Sequence, residues 1–270
     1  MPILHKDMQL CVSFAARPSN IGTRFHNYLY DELGLNFVYK AFAPVDIAQA
    51  VAGVRGLPIR GASVSMPFKE AVIPLVDHLH ASATAIDSVN TIVNDDGVLT
   101  AYNTDYLAVE SLLRTHAVDP AASVLLRGSG GMAKAVLAAF AGAGFGDLTV
   151  AARNETAGRA LADRYGARWI PDPADAGAEV LVNVTPLGMH GCDAAVQSFP
   201  DAAIAGAEVV FDVVAMPAET PLITAARARK KRVITGAEVI ALQAAEQFTR
   251  YTGVELTADQ IQRAAAFSRA

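Results

Sequence analysis

Residues 124–136 read VLLRGSGGMAKAV, a short β-favouring run that passes into Gly128, Gly130 and Gly131 and then directly into an Ala-rich helical window. A strand, a glycine turn and a helix N-terminus in that order make a place where a diphosphate can approach backbone N–H groups, because a Cβ at the glycine positions would obstruct it and the helix dipole favours the negative charge. The spacing is Gly-x-Gly-Gly-x-x-x-Ala, with Ala135 later than the usual third small residue, so by itself it reads equally as a structural tight turn. The next strand, expected over 148–152, ends at Arg153 and Asn154, where the ribose of a bound nucleotide would lie. A carboxylate there would bind the ribose hydroxyls of NAD, whereas a guanidinium pairs with the 2′-phosphate of NADP. Arg153 therefore favours NADP, with NAD as the alternative.

Outward from this motif the same alternation continues in both directions, which predicts an α/β protein with parallel sheets covered by helices. Strands are expected at 9–14, 36–42 and 61–65, with helices at 24–33 and 46–55. The run VNTIVNDDGVLTAY, residues 89–102, reads as a hairpin with Gly97 at a position needing positive φ. A helix over 104–116 follows. A second series then begins, with strands at 123–126, 148–152, 180–184 and 209–214 and helices at 132–143 and 155–165. Helices over 237–252 and 257–268, with Thr257 as N-cap and Gly253 as stop, bring no strands of their own and must pack on earlier elements. The expected division is a substrate domain of 1–105 plus 237–270 and a nucleotide domain of 106–236, with a site in the cleft between them and hinges near 105 and 236.

Composition agrees with such a compact pair of domains: 270 residues, 52% hydrophobic, 18% charged and a net charge of −5. Cys11 and Cys192 have no C-x-x-C partner, which argues against a disulfide framework or zinc ribbon and fits a reducing cytoplasm. The six histidines show no metal spacing, so no metal is expected. The basic run Arg227, Arg229, Lys230, Lys231 and Arg232 reads as a solvated helix terminus, not a nucleic-acid patch. No signal peptide or membrane span is expected.

Two further segments carry chemistry. In GASVSMPFKE, residues 61–70, a strand delivers Ser65, and Pro67 is expected to start a helix with Lys69 in its first turn. In SVNTIV and AYNTDY, Asn90 and Asp105 lie near opposite ends of the hairpin and its following helix. Together these stretches resemble the shikimate and quinate dehydrogenase family. The resemblance runs through Val64, Ser65, Met66, Pro67, Phe68, Lys69 and Glu70, then Val89, Asn90 and Thr91, then Asn103, Thr104 and Asp105. It continues through Asn183, Thr185, Pro186, Gly188 and Met189 to Gln243, Ala244, Phe248, Thr252 and Gly253.

The resemblance implies an N-terminal α/β substrate domain completed by the C-terminal helices, beside a Rossmann-like NADP-binding domain. It implies a cytoplasmic oxidoreductase of the chorismate pathway, a monomer or homodimer, that moves hydride between NADP and the shikimate and 3-dehydroshikimate pair. Lys69 and Asp105 would be the catalytic pair, with Ser65, Asn90 and Gln243 binding ring hydroxyls. Gly128, Ser129, Gly130, Gly131, Met132, Arg153, Asn154, Val213 and Gly236 would hold the cofactor.

Departures from the family pattern concentrate at the substrate end. Anchored on His26 and Asn27, the family's two carboxylate-binding serines fall on Asn20 and Gly22, and its substrate-binding tyrosine falls on Ala215. Ser13, Ser19, Asn20 and Thr23 are the candidate replacement donors, with Arg17 able to pair with a carboxylate. The family's second basic cofactor residue is displaced to about Arg159. The pattern is most similar to the shikimate dehydrogenase-like branch. The alternatives are a dehydrogenase for quinate or another hydroxylated cyclohexane carboxylate, and a non-catalytic NADP-binding sensor.

Overall fold

The computed structural model describes residues 4–174 and 176–269. By contacts the chain divides into two compact units, Met1–Thr104 with Ala241–Ala270 and Asp105–Ile240.

The first unit is built on β1 (Gln9–Phe14), β2 (Phe37–Phe42), β3 (Gly61–Val64), β4 (His78–Leu79), β5 (Thr91–Asp95) and β6 (Val98–Tyr102), in the order β2-β1-β3-β5-β6-β4. Its sheet is mixed. β1 pairs in parallel with β2 and β3, and the expected hairpin, β5–β6, runs antiparallel and joins β3 antiparallel. The two-residue loop has Asp96 at φ +51° and Gly97 at +92°, the positive pair that a tight hairpin requires.

Successive strand side chains point to opposite faces, and β1 shows the consequence. Val12 and Phe14 enter a core with Val51, Val54, Val64, Ile92 and Leu99. Cys11 enters a second core with Phe25, Leu29, Tyr39, Phe248 and Tyr251. α1 (Ile21–Glu32), α2 (Ile47–Gly56) and the short α3 (Ala81–Thr84) flank the sheet strands in sequence. Segment 67–72 is a series of turns leading to a 3₁₀ turn, Ile73–Leu75, instead of the expected helix. Pro74 supplies the reason, since a helix begun at Pro67 would need its missing N–H to reach Glu70.

The second unit opens with α4 (Thr104–Thr115), whose first residue belongs to the other unit, and continues through β7 (Val124–Arg127), α5 (Gly131–Gly142), β8 (Leu148–Ala151), α6 (Glu155–Arg164) and β9 (Arg168–Ile170). β10 (Val180–Asn183), α7 (Asp201–Gly206), β11 (Val209–Asp212), α8 (Pro221–Ala228) and β12 (Arg232–Thr235) complete its sheet. The order β12-β11-β10-β7-β8-β9 is parallel throughout. β10 and β11 are buried at every position, as expected of parallel strands covered on both faces. The basic run ends α8 and is consumed locally: Arg227 pairs with Glu219, Arg229 with Asp201, and Arg232 donates to the His116 and Ala117 carbonyls.

α9 (Gly236–Thr252) and α10 (Ala258–Arg269) follow. Thr257 and Gln260 form a reciprocal cap on α10, and Gly253 at φ +74° closes α9. Among the described residues no helix is long and apolar enough to cross a membrane, and no group of His, Cys, Asp and Glu is arranged to hold a metal.

Candidate functional site

In the first unit a polar cluster is built around Asn90, at the entry to β5. Its Oδ1 accepts from the Thr104 N–H at 2.8 Å, the Thr91 hydroxyl at 2.9 Å and the Thr104 hydroxyl at 3.1 Å. The amide is thereby fixed in one orientation. Its Nδ2 is shielded from solvent and has no protein acceptor among the described residues. A buried donor left without a partner costs about 1–3 kcal/mol, which a ligand oxygen would relieve.

Backbone hydrogen bonds gather the neighbouring segments. Val64 N–H donates to the Asn90 carbonyl at 2.8 Å, which fixes the end of β3 where Ser65 emerges exposed. The adjacent Val89 N–H donates to the Lys69 carbonyl at 2.9 Å. Lys69 is half-buried, and Asp105 follows Thr104 in the first turn of α4. Gln243 reaches the cluster from α9, its Oε1 lying 3.4 Å from the Thr104 hydroxyl.

One helical turn further on, Gln247 donates to the Thr91 hydroxyl at 3.0 Å and the Asn90 carbonyl at 3.3 Å. Sequence reasoning missed Gln247. Two glutamines four apart, beside Ala244 and Phe248, were the available signal for one shared polar face.

Among the described residues no hydrogen bond ties the side chains of Ser19 and Asn20 to this cluster. Ser19 and Asn20 are exposed, and Asn20 stands at the N-cap of α1 without a side-chain capping bond. Beside Gly22 the structure has Tyr39 instead: a Cβ on Gly22 would lie 3.6 Å from the Tyr39 hydroxyl. Burial raises the Tyr39 pKa, and the Ser13 and Ser63 hydroxyls beside it offset part of that rise. Tyr39 was read only as a strand residue. Its backbone is fixed by Asn27, which accepts from its N–H at 2.9 Å and donates to its carbonyl at 2.8 Å.

In the second unit the glycine turn lines a cavity of about 600 Å³ together with Arg127, Ser129, Arg153, Asp172 and Thr185. Gly128 has φ +121°, and a Cβ there would come within 2.9 Å of Val184 Cγ2 and 3.1 Å of the Val184 carbonyl oxygen. Gly130 is the N-cap of α5, and a Cβ on it would meet no protein atom within 4 Å and would take up open cavity. The turn fits the approach of a diphosphate to the start of α5. Met132 lies half-buried in that first turn.

The opposite wall is held by a buried network. Asn183 Oδ1 accepts from the Thr185 N–H and hydroxyl, at 3.1 and 2.6 Å, and Nδ2 donates to Asp212 at 2.9 Å. Asp212 also accepts from the Thr220 hydroxyl at 2.7 Å and the Val214 N–H at 3.0 Å. Burial raises the Asp212 pKa against those bonds.

Other expected cofactor residues divide by role. Arg153 is exposed at the cavity after β8. Asn154 lines it too, but its Oδ1 accepts from the Ala157 N–H at 3.0 Å and caps α6. Val213 and Gly236 lie against each other: a Cβ on Gly236 would fall 2.3 Å from the Val213 carbonyl oxygen. Arg159 stays away from the cavity, its Nε 2.8 Å from Glu155 and its guanidinium 4.2 Å over the Trp169 ring.

A parallel, doubly wound sheet with a glycine turn at a helix N-terminus defines a protein of the dinucleotide-binding α/β class. Comparison with known proteins narrows this. The shikimate dehydrogenase substrate-binding domain matches residues 20–92. A shikimate dehydrogenase-like protein of Haemophilus influenzae is 54% identical over 99% of each chain. Among solved structures, a shikimate 5-dehydrogenase-like protein superposes with TM-score 0.98 at 54% identity, over 99% of this chain and 100% of that one. The Thermus thermophilus shikimate 5-dehydrogenase, in complex with NADP(H) and shikimate, superposes with TM-score 0.83 at 27% identity over 97% and 99%. The chain belongs to the shikimate dehydrogenase family.

Proposed function

We propose that this chain is an NADP-dependent dehydrogenase acting reversibly on the ring hydroxyl of shikimate or a closely related hydroxylated cyclohexane carboxylate. The observation that carries the reading is Asn90. Three donors saturate its Oδ1 and leave Nδ2 as a buried donor needing an acceptor, which a ring hydroxyl supplies. Family membership and the NADP(H) and shikimate complex of the Thermus relative support the choice of ligands. Arg153 at the cavity supports NADP over NAD.

When bound, the nicotinamide supplies or accepts the hydride. In ketone reduction Lys69 gives a proton to the carbonyl oxygen, and in alcohol oxidation it takes that proton back. Asp105 accepts a hydrogen bond from the same substrate hydroxyl and orients it. Asn90 donates to a neighbouring ring oxygen, and Ser65 and Gln243 complete the set of polar groups that a polyol needs to bind in one orientation. Gly130 leaves room for the diphosphate, which the N–H groups at the start of α5 receive.

Gly22 and Ala215, where the family carries two hydroxyl-bearing substrate contacts, favour a ring acid other than shikimate as preferred substrate. The test is nicotinamide absorbance with shikimate and with quinate, each against NADP and NAD, beside Lys69→Ala. We expect NADP-dependent turnover that falls at least about 100-fold in the variant. Unchanged turnover in Lys69→Ala would refute its role. Tight NADPH binding with no turnover of either acid would favour a sensor.

A further inference from the structure

Arg127 is the last residue of β7, at the end of a run whose other positions are buried and immediately before Gly128. Its Nη1 donates to the Ser198 carbonyl, which anchors the guanidinium at the cavity wall. In the sheet Arg127 is the register partner of Ala151, two residues before Arg153, so adjacent parallel strands deliver both arginines to one cavity. Neither forms an ion pair with a carboxylate among the described residues. Asp172 lines the same cavity with one oxygen occupied, accepting from the Ala174 N–H at 2.8 Å.

Burial lowers the Arg127 pKa; Asp172 acts to raise it and Arg153 to lower it further. Two guanidiniums close enough to repel are stabilised by a dianion between them, and a phosphate monoester presents the oxygens that planar guanidinium forks bind. The diphosphate does not need them, because the glycine turn and the start of α5 serve it.

We propose that Arg127 and Arg153 together seat the cofactor's 2′-phosphate, with Arg127 supplying the second cation expected at Arg159. This rests on the NADP reading above. The cation comes from the strand before the glycine turn, so cofactor selectivity and the turn are carried by consecutive residues.

The test is calorimetric binding of 2′,5′-ADP and of 5′-AMP to the full-length protein and to Arg127→Met, Arg127→Gln and Arg159→Met. Wild type should prefer 2′,5′-ADP. Arg127→Met should weaken 2′,5′-ADP by about 10- to 100-fold while 5′-AMP changes less than about threefold. Arg127→Gln keeps a donor for Ser198 but no charge and should lose the same preference, which separates the phosphate contact from a structural tether. Arg159→Met should leave the preference intact. An undiminished preference in Arg127→Gln, or equal weakening of both ligands in the Arg127 variants, would overturn the proposal. Absence of any preference in wild type would instead bring down the NADP reading, and this proposal with it.

Discussion

His26 lies stacked on Tyr39 with ring centroids 4.5 Å apart and planes 7° from parallel, and neither ring nitrogen has a hydrogen-bond partner among the described residues. Burial lowers its pKa from 6.5 to about 3, so it is neutral in the folded state. Between those values the unfolded chain binds the extra proton. The stability contributed by keeping His26 neutral is therefore whole above pH 6.5 and is lost as pH falls toward 3. At roughly 1.4 kcal/mol per pH unit the ceiling is roughly 5 kcal/mol. Denaturant titrations from pH 7 to 4 should show a shallower slope in His26→Phe, whatever that variant's absolute stability; an identical slope would contradict the assignment.

Asn90 offers a second measurement at this scale. Asn90→Asp keeps the acceptor for Thr91 and Thr104 but replaces the donor, so Tm should stay within a few degrees while KM for the ring substrate rises about tenfold. An unchanged KM would remove Asn90 from the substrate site. Its candidacy was legible because Val-Asn-Thr is a short motif, whereas the parts played by Tyr39 and Arg127 were not. A tyrosine and an arginine at strand positions have no local signature: only the packing of α1 beside β2 sets Tyr39 against Gly22, and only the sheet register brings Arg127 to the cavity of Arg153.

Among the elements, α9 shows how close packing fixes residue choice. Its first residue, Gly236, lies so near the end of β11 that a Cβ would fall 2.3 Å from the Val213 oxygen and 2.5 Å from the Val214 carbonyl carbon. Backbone at that distance cannot yield as a flexible side chain does. Gly236→Ala should therefore separate β11 from α9, lower Tm by several degrees and weaken NADPH binding, measurable by thermal shift with and without NADPH. A Tm equal to wild type would show that the backbone can relax there.

The hairpin and the Thr257 cap were readable in sequence because each is written in adjacent residues: Asp-Asp-Gly in one case, Thr-x-x-Gln in the other. β9 and β12 were not. The first has three residues and the second four, each beginning with an exposed arginine, and they acquire strand character from the parallel neighbours β8 and β11. The turn series over 67–72 was misread because Pro67 is a favourable helix start, while Pro74 forbids the next turn.

At the scale of the whole molecule, residues 105–240 are continuous in sequence and have their own six-stranded sheet and buried core. A fragment of those residues should fold alone and bind 2′,5′-ADP with an affinity within about tenfold of the full chain. A fragment without cooperative unfolding would show that this unit needs the rest of the protein. The other unit is discontinuous. Phe248, Tyr251, Ala264 and Ala265 fill the same core as Phe25, Leu29 and Tyr39, and Arg263 of α10 pairs with Glu32 of α1 at the surface. This arrangement was legible only by inference, from two terminal helices that had no strands to cover.

The return of α9 and α10 to the N-terminal unit imposes an order on synthesis. By the time residue 240 is joined to the nascent chain, every strand of the second unit's sheet has been synthesised, whereas the first unit still lacks the helices that cover Cys11, Phe25 and Tyr39. Domains fold as units during translation, so the inserted unit is complete while the one begun earlier still exposes half its core. The nascent first unit is therefore the stage at which chaperones would find apolar surface, and it closes only once residues 241–270 have left the ribosome.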